Sequence, residues 1–152
     1  MSIEAIYDFE TPIEQAFATL LKAAELNVLT PSDTPTMQSA RPRVDLAFQV
    51  GSAKRSYHIV STVLRNASWQ GHLTLQLITN PAVKPMHRAY RAEIRNVMAQ
   101  WASITMNCHK LQGCYESSTT PTFKTDDGYE VSTLVYTIDF GIDAGAWAEL
   151  TL

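Results

Sequence analysis

Residues 127–143 read DGYEVSTLVYTIDFGID. Ser132, Leu134, Tyr136, Ile138, Phe140 and Ile142 take alternate positions, and Val131, Thr133, Val135, Thr137, Asp139 and Gly141 lie between them. Successive side chains of an extended chain point to opposite faces, so this period of two predicts a strand with a buried even face. The pattern holds for about a dozen residues, roughly twice the length of an ordinary strand. The odd face, with its threonines and an aspartate, suits a sheet surface covered only in part.

A buried even face needs apolar partners, and two segments supply them at helical spacing. In TPIEQAFATLLKAAEL, residues 11–26, Ile13, Phe17, Leu20, Leu21 and Ala24 fall on one side. Thr11 as cap, Pro12 at the first helical position and Glu14 three residues after the cap predict a capping box at its start. In NPAVKPMHRAYRAEIRNVMAQWAS, residues 80–103, Met86, Tyr90, Ile94, Val97, Met98 and Trp101 follow the same spacing. Pro85 is compatible with the first turn of that helix but not with its interior.

Further strands are read from alternation. RVDLAFQVG, residues 43–51, sets Val44, Leu46, Phe48 and Val50 against Arg43, Asp45 and Gln49. Gly51 and Ser52 then predict a turn, with KRSYHIVSTVL, residues 54–64, as the partner strand and WQGHLTLQLIT, residues 69–79, as a third. HKLQGCYESS, residues 109–118, reads as one more strand. The Pro-rich and polar stretches at about 29–42 and 117–128 read as long exposed loops, and long loops are commonly functional or disordered. The order helix, three strands, helix, two strands predicts one α+β domain over residues 1–152. It is a mostly antiparallel mixed β-sheet with two amphipathic helices packed on one face.

Composition narrows the function. A chain of 152 residues with 45% hydrophobic and 18% charged residues is long enough for a true core. A formal charge of -3 argues against a dedicated nucleic-acid binder. The opening MSIEAIYDFE carries acids where a signal peptide carries Lys or Arg, and no apolar run approaches the roughly 20 residues that cross a bilayer. The expectation is a soluble protein made in a reducing cytosol, with no membrane partner.

Catalytic motifs are missing from the pattern: there is no Walker loop, G-x-G-x-x-G, nucleophile elbow or H-E-x-x-H. The acids are dispersed, as Glu4, Asp8, Glu10 and Glu14 near the start and Asp126, Asp127 and Glu130 near the end, and no spacing singles out a catalytic pair. His58, His72 and His87 stand singly. Cys108 and Cys114 flank His109 in NCHKLQGC, but this is not the C-x-x-C spacing of a zinc site and no second cluster completes a tetrahedron. The expectation is therefore a non-enzyme with no metal and no cofactor, the alternative being a small cytosolic enzyme or ligand-binding domain that uses a cleft between sheet and helices.

Two features point to interactions. Arg88, Arg91 and Arg95 lie at i, i+3 and i+7 on the second helix, opposite its apolar stripe, with Lys84 and His87 just upstream. Such a stripe is either a solvated helix face or a surface turned toward phosphates or an acidic neighbouring subunit. Trp69 and Trp147 are either core or edge cover, or interface anchors, since tryptophan is enriched at protein hot spots.

Read together, these segments resemble the tail terminator and head-to-tail joining (neck) proteins of tailed bacteriophages. SIEAIYDFETPIEQAFATLLKA resembles the opening helix and RPRVDLAFQVG the first strand after a variable Pro-rich loop. HRAYRAEIRNVMAQW resembles the central helix and DGYEVSTLVYTIDFGIDAGAW the closing strand with its terminal tryptophan. The resemblance implies a virion protein of the tail and neck, assembled in the host cytoplasm. Its subunits would form a homo-oligomeric ring, typically a hexamer, that caps the tail tube and meets the head-side connector. DNA would pass through the lumen without sequence-specific binding. Under it the two long loops become docking loops, and the Arg88, Arg91 and Arg95 stripe becomes a subunit contact or a lining of the channel.

Overall fold

The computed structural model describes residues 10–33, 42–54, 67–80, 86–106 and 109–142. In chain order the elements are α1 (Glu10–Ala23), β1 (Val28–Leu29), β2 (Arg43–Lys54), β3 (Ala67–Thr79) and α2 (Met86–Met98). A 3-10 turn (Trp101–Ser103) follows, then β4 (His109–Thr119), β5 (Phe123–Lys124) and β6 (Glu130–Ile142). The result is the α+β fold expected, with both helices on one face of a six-stranded mixed sheet.

Strand order is β1-β2-β3-β6-β4. Only β1–β2 is parallel; β2–β3, β3–β6, β4–β6 and β5–β6 are antiparallel. β6 pairs β3 along its whole length, from Thr79↔Glu130 to Ala67↔Ile142. Its other edge is filled first by β5, at Phe123↔Val131, and then by β4, from Thr119↔Leu134 onward. β3 and β4 both run antiparallel to β6 and hence parallel to each other. Parallel strands need a crossover, and α2 with the 3-10 turn supplies it across the apolar face of β6.

The alternation that predicted β6 is the one observed. Leu134, Ile138 and Phe140 are fully buried and Tyr136 nearly so, and they join Val44, Leu46, Phe48, Leu73, Leu75 and Leu77 from the neighbouring strands. α1 adds Ile13, Phe17 and Leu21, and α2 adds Ile94, Val97 and Met98. Gly71 of β3 shapes this core. A Cβ there would stand 2.4 Å from Phe48 Cζ and 2.9 Å from the Gln49 carbonyl oxygen, so only glycine lets the Phe48 ring lie across β3. The ring then meets Phe140 edge-on, with centroids 6.1 Å apart at 64°.

α1 ends in a Schellman motif: Leu26 N–H donates to Leu21 O at 3.3 Å and Glu25 N–H to Lys22 O at 2.9 Å. The residue in the left-handed region is Glu25, with φ of 65°, where glycine is usual. The turn between β5 and β6 does use glycine. Gly128, at φ 87°, donates to Thr125 O at 2.9 Å while Thr125 N–H donates to Tyr129 O at 2.8 Å.

Several local expectations are corrected. Gly51 and Ser52 do not turn the chain: β2 runs through both to Lys54, with a register shift between Val50 and Ser52. A glycine inside a strand pattern marks a bulge as readily as a turn. The partner of β2 is therefore β3; of the KRSYHIVSTVL segment only Lys54 lies within the described residues, and it belongs to β2. At the start of α1, the helix already includes Glu10, and Glu14 turns inward. The Phe48 N–H, on the outer edge of β2 past the short β1, donates to Glu14 Oε2 at 3.0 Å. In the 29–42 stretch Leu29 belongs to β1 and Thr30–Asp33 form a turn, while residues 34–41 lie outside the described residues. In the 117–128 stretch β4 continues to Thr119 and β5 resumes at Phe123, so β4, β5 and β6 make one long hairpin with exposed outer side chains.

Candidate functional site

The arginine stripe of α2 is graded along its length. Arg95 is engaged by its own chain: its Nη2 lies 2.9 Å from Glu116 Oε1 on β4, and its Nε donates to both carboxylate oxygens at 3.2 Å. Thr119 Oγ1 donates to the same carboxylate at 2.6 Å. Partial burial of Glu116 would raise its carboxyl pKa. Hydrogen bonds from Arg95 and Thr119, with the charges of Arg95 and Arg91, outweigh that and hold it below its ordinary value. Arg91 reaches Thr122 Oγ1 at 3.4 Å, and its Nε is buried without a hydrogen-bond partner among the described residues. Arg88 is exposed and makes no hydrogen bond or ion pair among the described residues. The N-terminal end of the stripe is thus the part without a partner among the described residues.

Trp69 is half-buried and packs against the core at the end of β3, beside Phe140 in register. Trp147 lies outside the described residues. So does Cys108, whereas Cys114 on β4 is a free, partly buried thiol whose pKa burial pushes up to about 12. A thiol so shifted is almost wholly protonated at neutral pH and is a poor nucleophile and metal ligand. Among the described residues no group of three His, Cys, Asp or Glu side chains is placed to hold a metal ion, and no helix is long and apolar enough to cross a membrane.

His87, which the sequence reading set beside the polar stripe, is buried instead. Its Nδ1 lies 2.8 Å from Thr79 Oγ1 and its Nε2 2.7 Å from Ser132 Oγ. A serine hydroxyl at that distance from an imidazole has the geometry of an activated nucleophile. Here Ser132 is completely buried, and the position of an orienting carboxylate is held by the neutral Thr79, itself 1% exposed. No substrate reaches the pair, so the arrangement is structural. Nothing in the sequence joined these three residues, because Ser132 lies 45 positions from His87.

A polar hollow, an open cleft of about 520 Å³, lies between the Thr30–Asp33 turn and the sheet. Its charged groups answer one another. Asp33 Oδ2 accepts from Thr30 N–H at 2.8 Å and from the Thr30 hydroxyl at 3.1 Å, and these bonds hold its carboxyl below the ordinary pKa. Arg43 Nε lies 3.3 Å from Asp45 Oδ1. Arg43 Nε is buried without a hydrogen bond among the described residues, and Thr74, Gln76 and Thr133 also line the hollow.

What the fold leaves open is the sheet face turned away from the helices. The odd positions of β6 point to it, Thr133, Val135 and Asp139 partly exposed and Val131 and Thr137 covered by their neighbours, flanked by Gln70, His72, Thr74, Gln76 and Ile78 of β3 and by Tyr115 of β4. Gln70 Nε2 donates to Asp139 Oδ1 at 3.1 Å, and His72 Nδ1 lies 3.5 Å from Thr137 Oγ1. Tyr115 and Phe123, both 52% exposed, are the large hydrophobic side chains that stand out among the described residues. Tyr115 is in register with Thr137 and Phe123 with Val131, so both rings rise from this same face. At about 3.3 Å per residue they stand roughly 20 Å apart. A broad, threonine-rich surface bearing two exposed aromatics has the chemistry of a contact surface.

No protein-family model matches the sequence, and no curated protein matches it. Among solved structures the fold matches a chain of the virion of a native gene transfer agent (GTA) particle. The TM-score is 0.60 at 13% sequence identity, over 92% of this chain and 98% of that one. At that identity the likeness is one of fold, and it extends over most of both chains.

Proposed function

We propose that this chain is a structural protein of a phage-like virion, and within that class a tail terminator. Its subunits close into a ring, a hexamer, that caps the tail tube and joins it to the head-side connector, with DNA passing through the lumen. The observation that carries the reading is the fold likeness, over 92% of this chain, to a chain of a gene transfer agent virion. The open sheet face supports it, because a ring subunit needs a broad surface for its neighbour. In this reading Tyr115 and Phe123 are the anchors of the subunit contact. Arg88 and the free end of Arg91 meet acidic side chains of the adjacent subunit, for which Asp126 and Asp127 on the exposed β5–β6 turn are suited.

The test is mass measurement and negative-stain imaging of the purified protein, followed by incubation with preformed tail tubes. Rings that seat on tube ends are expected, and Tyr115→Asp with Phe123→Asp should yield folded monomers. A wild-type protein that stays monomeric and leaves tube ends bare would refute the proposal. Rings that ignore tubes but bind the head-side connector would move the protein to another neck position.

A further inference from the structure

His87 is the second residue of α2, and its ring is the only polar bridge among the described residues from that helix to two strands at once. Thr79 closes β3 and Ser132 opens β6, and around them the strands are in register at Thr79↔Glu130 and Leu77↔Ser132. The three side chains are 5%, 1% and 0% exposed. A neutral imidazole has one donor and one acceptor nitrogen, and two hydroxyls satisfy it in either tautomer. A protonated ring has two donors. The hydroxyl that had donated to it must then turn its hydrogen elsewhere, at a site closed off from bulk solvent.

The position is also unfavourable to charge for a second reason. The ring sits in the first turn of α2, where exposed N–H groups already make a positive end, and that turn holds no acidic residue. Two charged groups act on the ring. Glu130, at the start of β6, favours the protonated form, and Lys124 of β5 faces it in register; Arg91, one turn along α2, disfavours protonation. β3 contributes no charge at this point, its single titratable residue, His72, being on the opposite face. Burial is the dominant influence, and with Arg91 it holds the ring below its ordinary value of 6.5 against Glu130.

We propose that Thr79, His87 and Ser132 form an acid-sensitive latch, in which protonation of the ring releases the first turns of α2 from the sheet. The sign follows from the depressed pKa. The folded state binds fewer protons than the open one, so the latch is fully closed above the ordinary histidine value and weakens as pH falls through it. With one proton taken up on opening, the open population rises about tenfold per pH unit below about 6.5, until the folded ring itself titrates. Release would free the arginine stripe from its place beside β4, so the latch couples acidity to a surface of the subunit. It is a property of the folded chain, whatever that chain assembles into.

Amide hydrogen exchange of Met86–Met98 between pH 7.5 and 5, corrected for intrinsic exchange, tests this in wild type and His87→Gln. Wild-type protection should be level above about pH 6.5 and fall about tenfold per unit below it, and that slope should vanish in the variant. Equal slopes in the two proteins overturn the latch. Should His87→Gln fail to fold, carbon-13 titration of the wild-type histidines decides the matter. Protection of α2 that falls below about pH 6.5 and levels off where the ring titrates supports the latch, whereas protection that stays constant down through the ring's titration overturns it.

Discussion

Replacing Gly71 by alanine tests the packing at the centre of the sheet. The new methyl group would stand 2.4 Å from Phe48 Cζ, 2.7 Å from Phe48 Cε1 and 2.9 Å from the Gln49 carbonyl oxygen. Carbon atoms pack at about 3.5–4.0 Å, so the Phe48 ring must retreat by more than 1 Å. It has little room, being 3% exposed and set edge-on against Phe140 at 6.1 Å. The carbonyl belongs to the β2 backbone and yields only if the β2–β3 ladder distorts. Overpacking of this kind costs about 1–3 kcal/mol, and loss of the aromatic pair adds about 0.5–1.5 kcal/mol. Alanine returns about 0.4–1 kcal/mol by restricting the unfolded chain. The net expectation is a destabilisation of about 1–3 kcal/mol, read as a lower urea midpoint and a Tm lower by about 3–10 °C. Gly51→Ala is the control, because its nearest contact would be an ordinary 3.5 Å to the His72 ring. If Gly71→Ala unfolds no more easily than Gly51→Ala, the proposed role of glycine in the core is wrong. A Phe48→Leu background should recover part of the loss, and a double-mutant cycle measures how much.

Two further outcomes are expected. Glu25→Gly removes a left-handed side chain from the C′ position of α1 and should stabilise the fold by about 0.5–1 kcal/mol in equilibrium denaturation; a loss of stability would contradict the Schellman assignment. Glu116 has a carboxyl pKa held below its ordinary value in the fold, so its contribution is present above the unfolded-state pKa and lost as pH falls through the folded one. Because the pair with Arg95 is partly exposed, Glu116→Gln should lower stability at pH 7 by only a few tenths of a kcal/mol, with the gap to wild type closing as pH falls below the ordinary carboxylate range.

The fold was legible where burial imposes a period. The even positions of β6 and the apolar stripes of α1 and α2 each repeat often enough to leave one interpretation. Gly51 was misread because a glycine followed by serine looks the same at a bulge as at a turn, and only the partner strand distinguishes them. The short β5 was hidden in TTPTFKTDDG, whose composition is that of a loop, because two residues of strand leave no periodic trace. The open face was visible as the odd positions of β6. Its exposed aromatics were not, since Tyr115 and Phe123 reach that face only through the register of β4 and β5. His87 was missed for a different reason. A lone histidine beside three arginines carries no mark of burial, and its hydroxyl partners come from β3 and β6.

The place of β6 in the sheet bears on how the chain acquires its shape. It follows every other strand in sequence, yet in space it lies between β3 and β4. Until it arrives, β3 offers a bare edge thirteen residues long and β4 has no partner strand at all. Every contact that inserts β6 beside β3 spans a helix and two strands of intervening chain, and pairing of this range is slow to form. A growing or partly unfolded chain therefore passes through a stage in which a leucine-rich strand, β3, is unprotected on one side. Folding ends with a zippering step at the middle of the sheet, and the same step finishes the face that carries Tyr115. A subunit that has not yet folded completely has no finished surface to offer its neighbours.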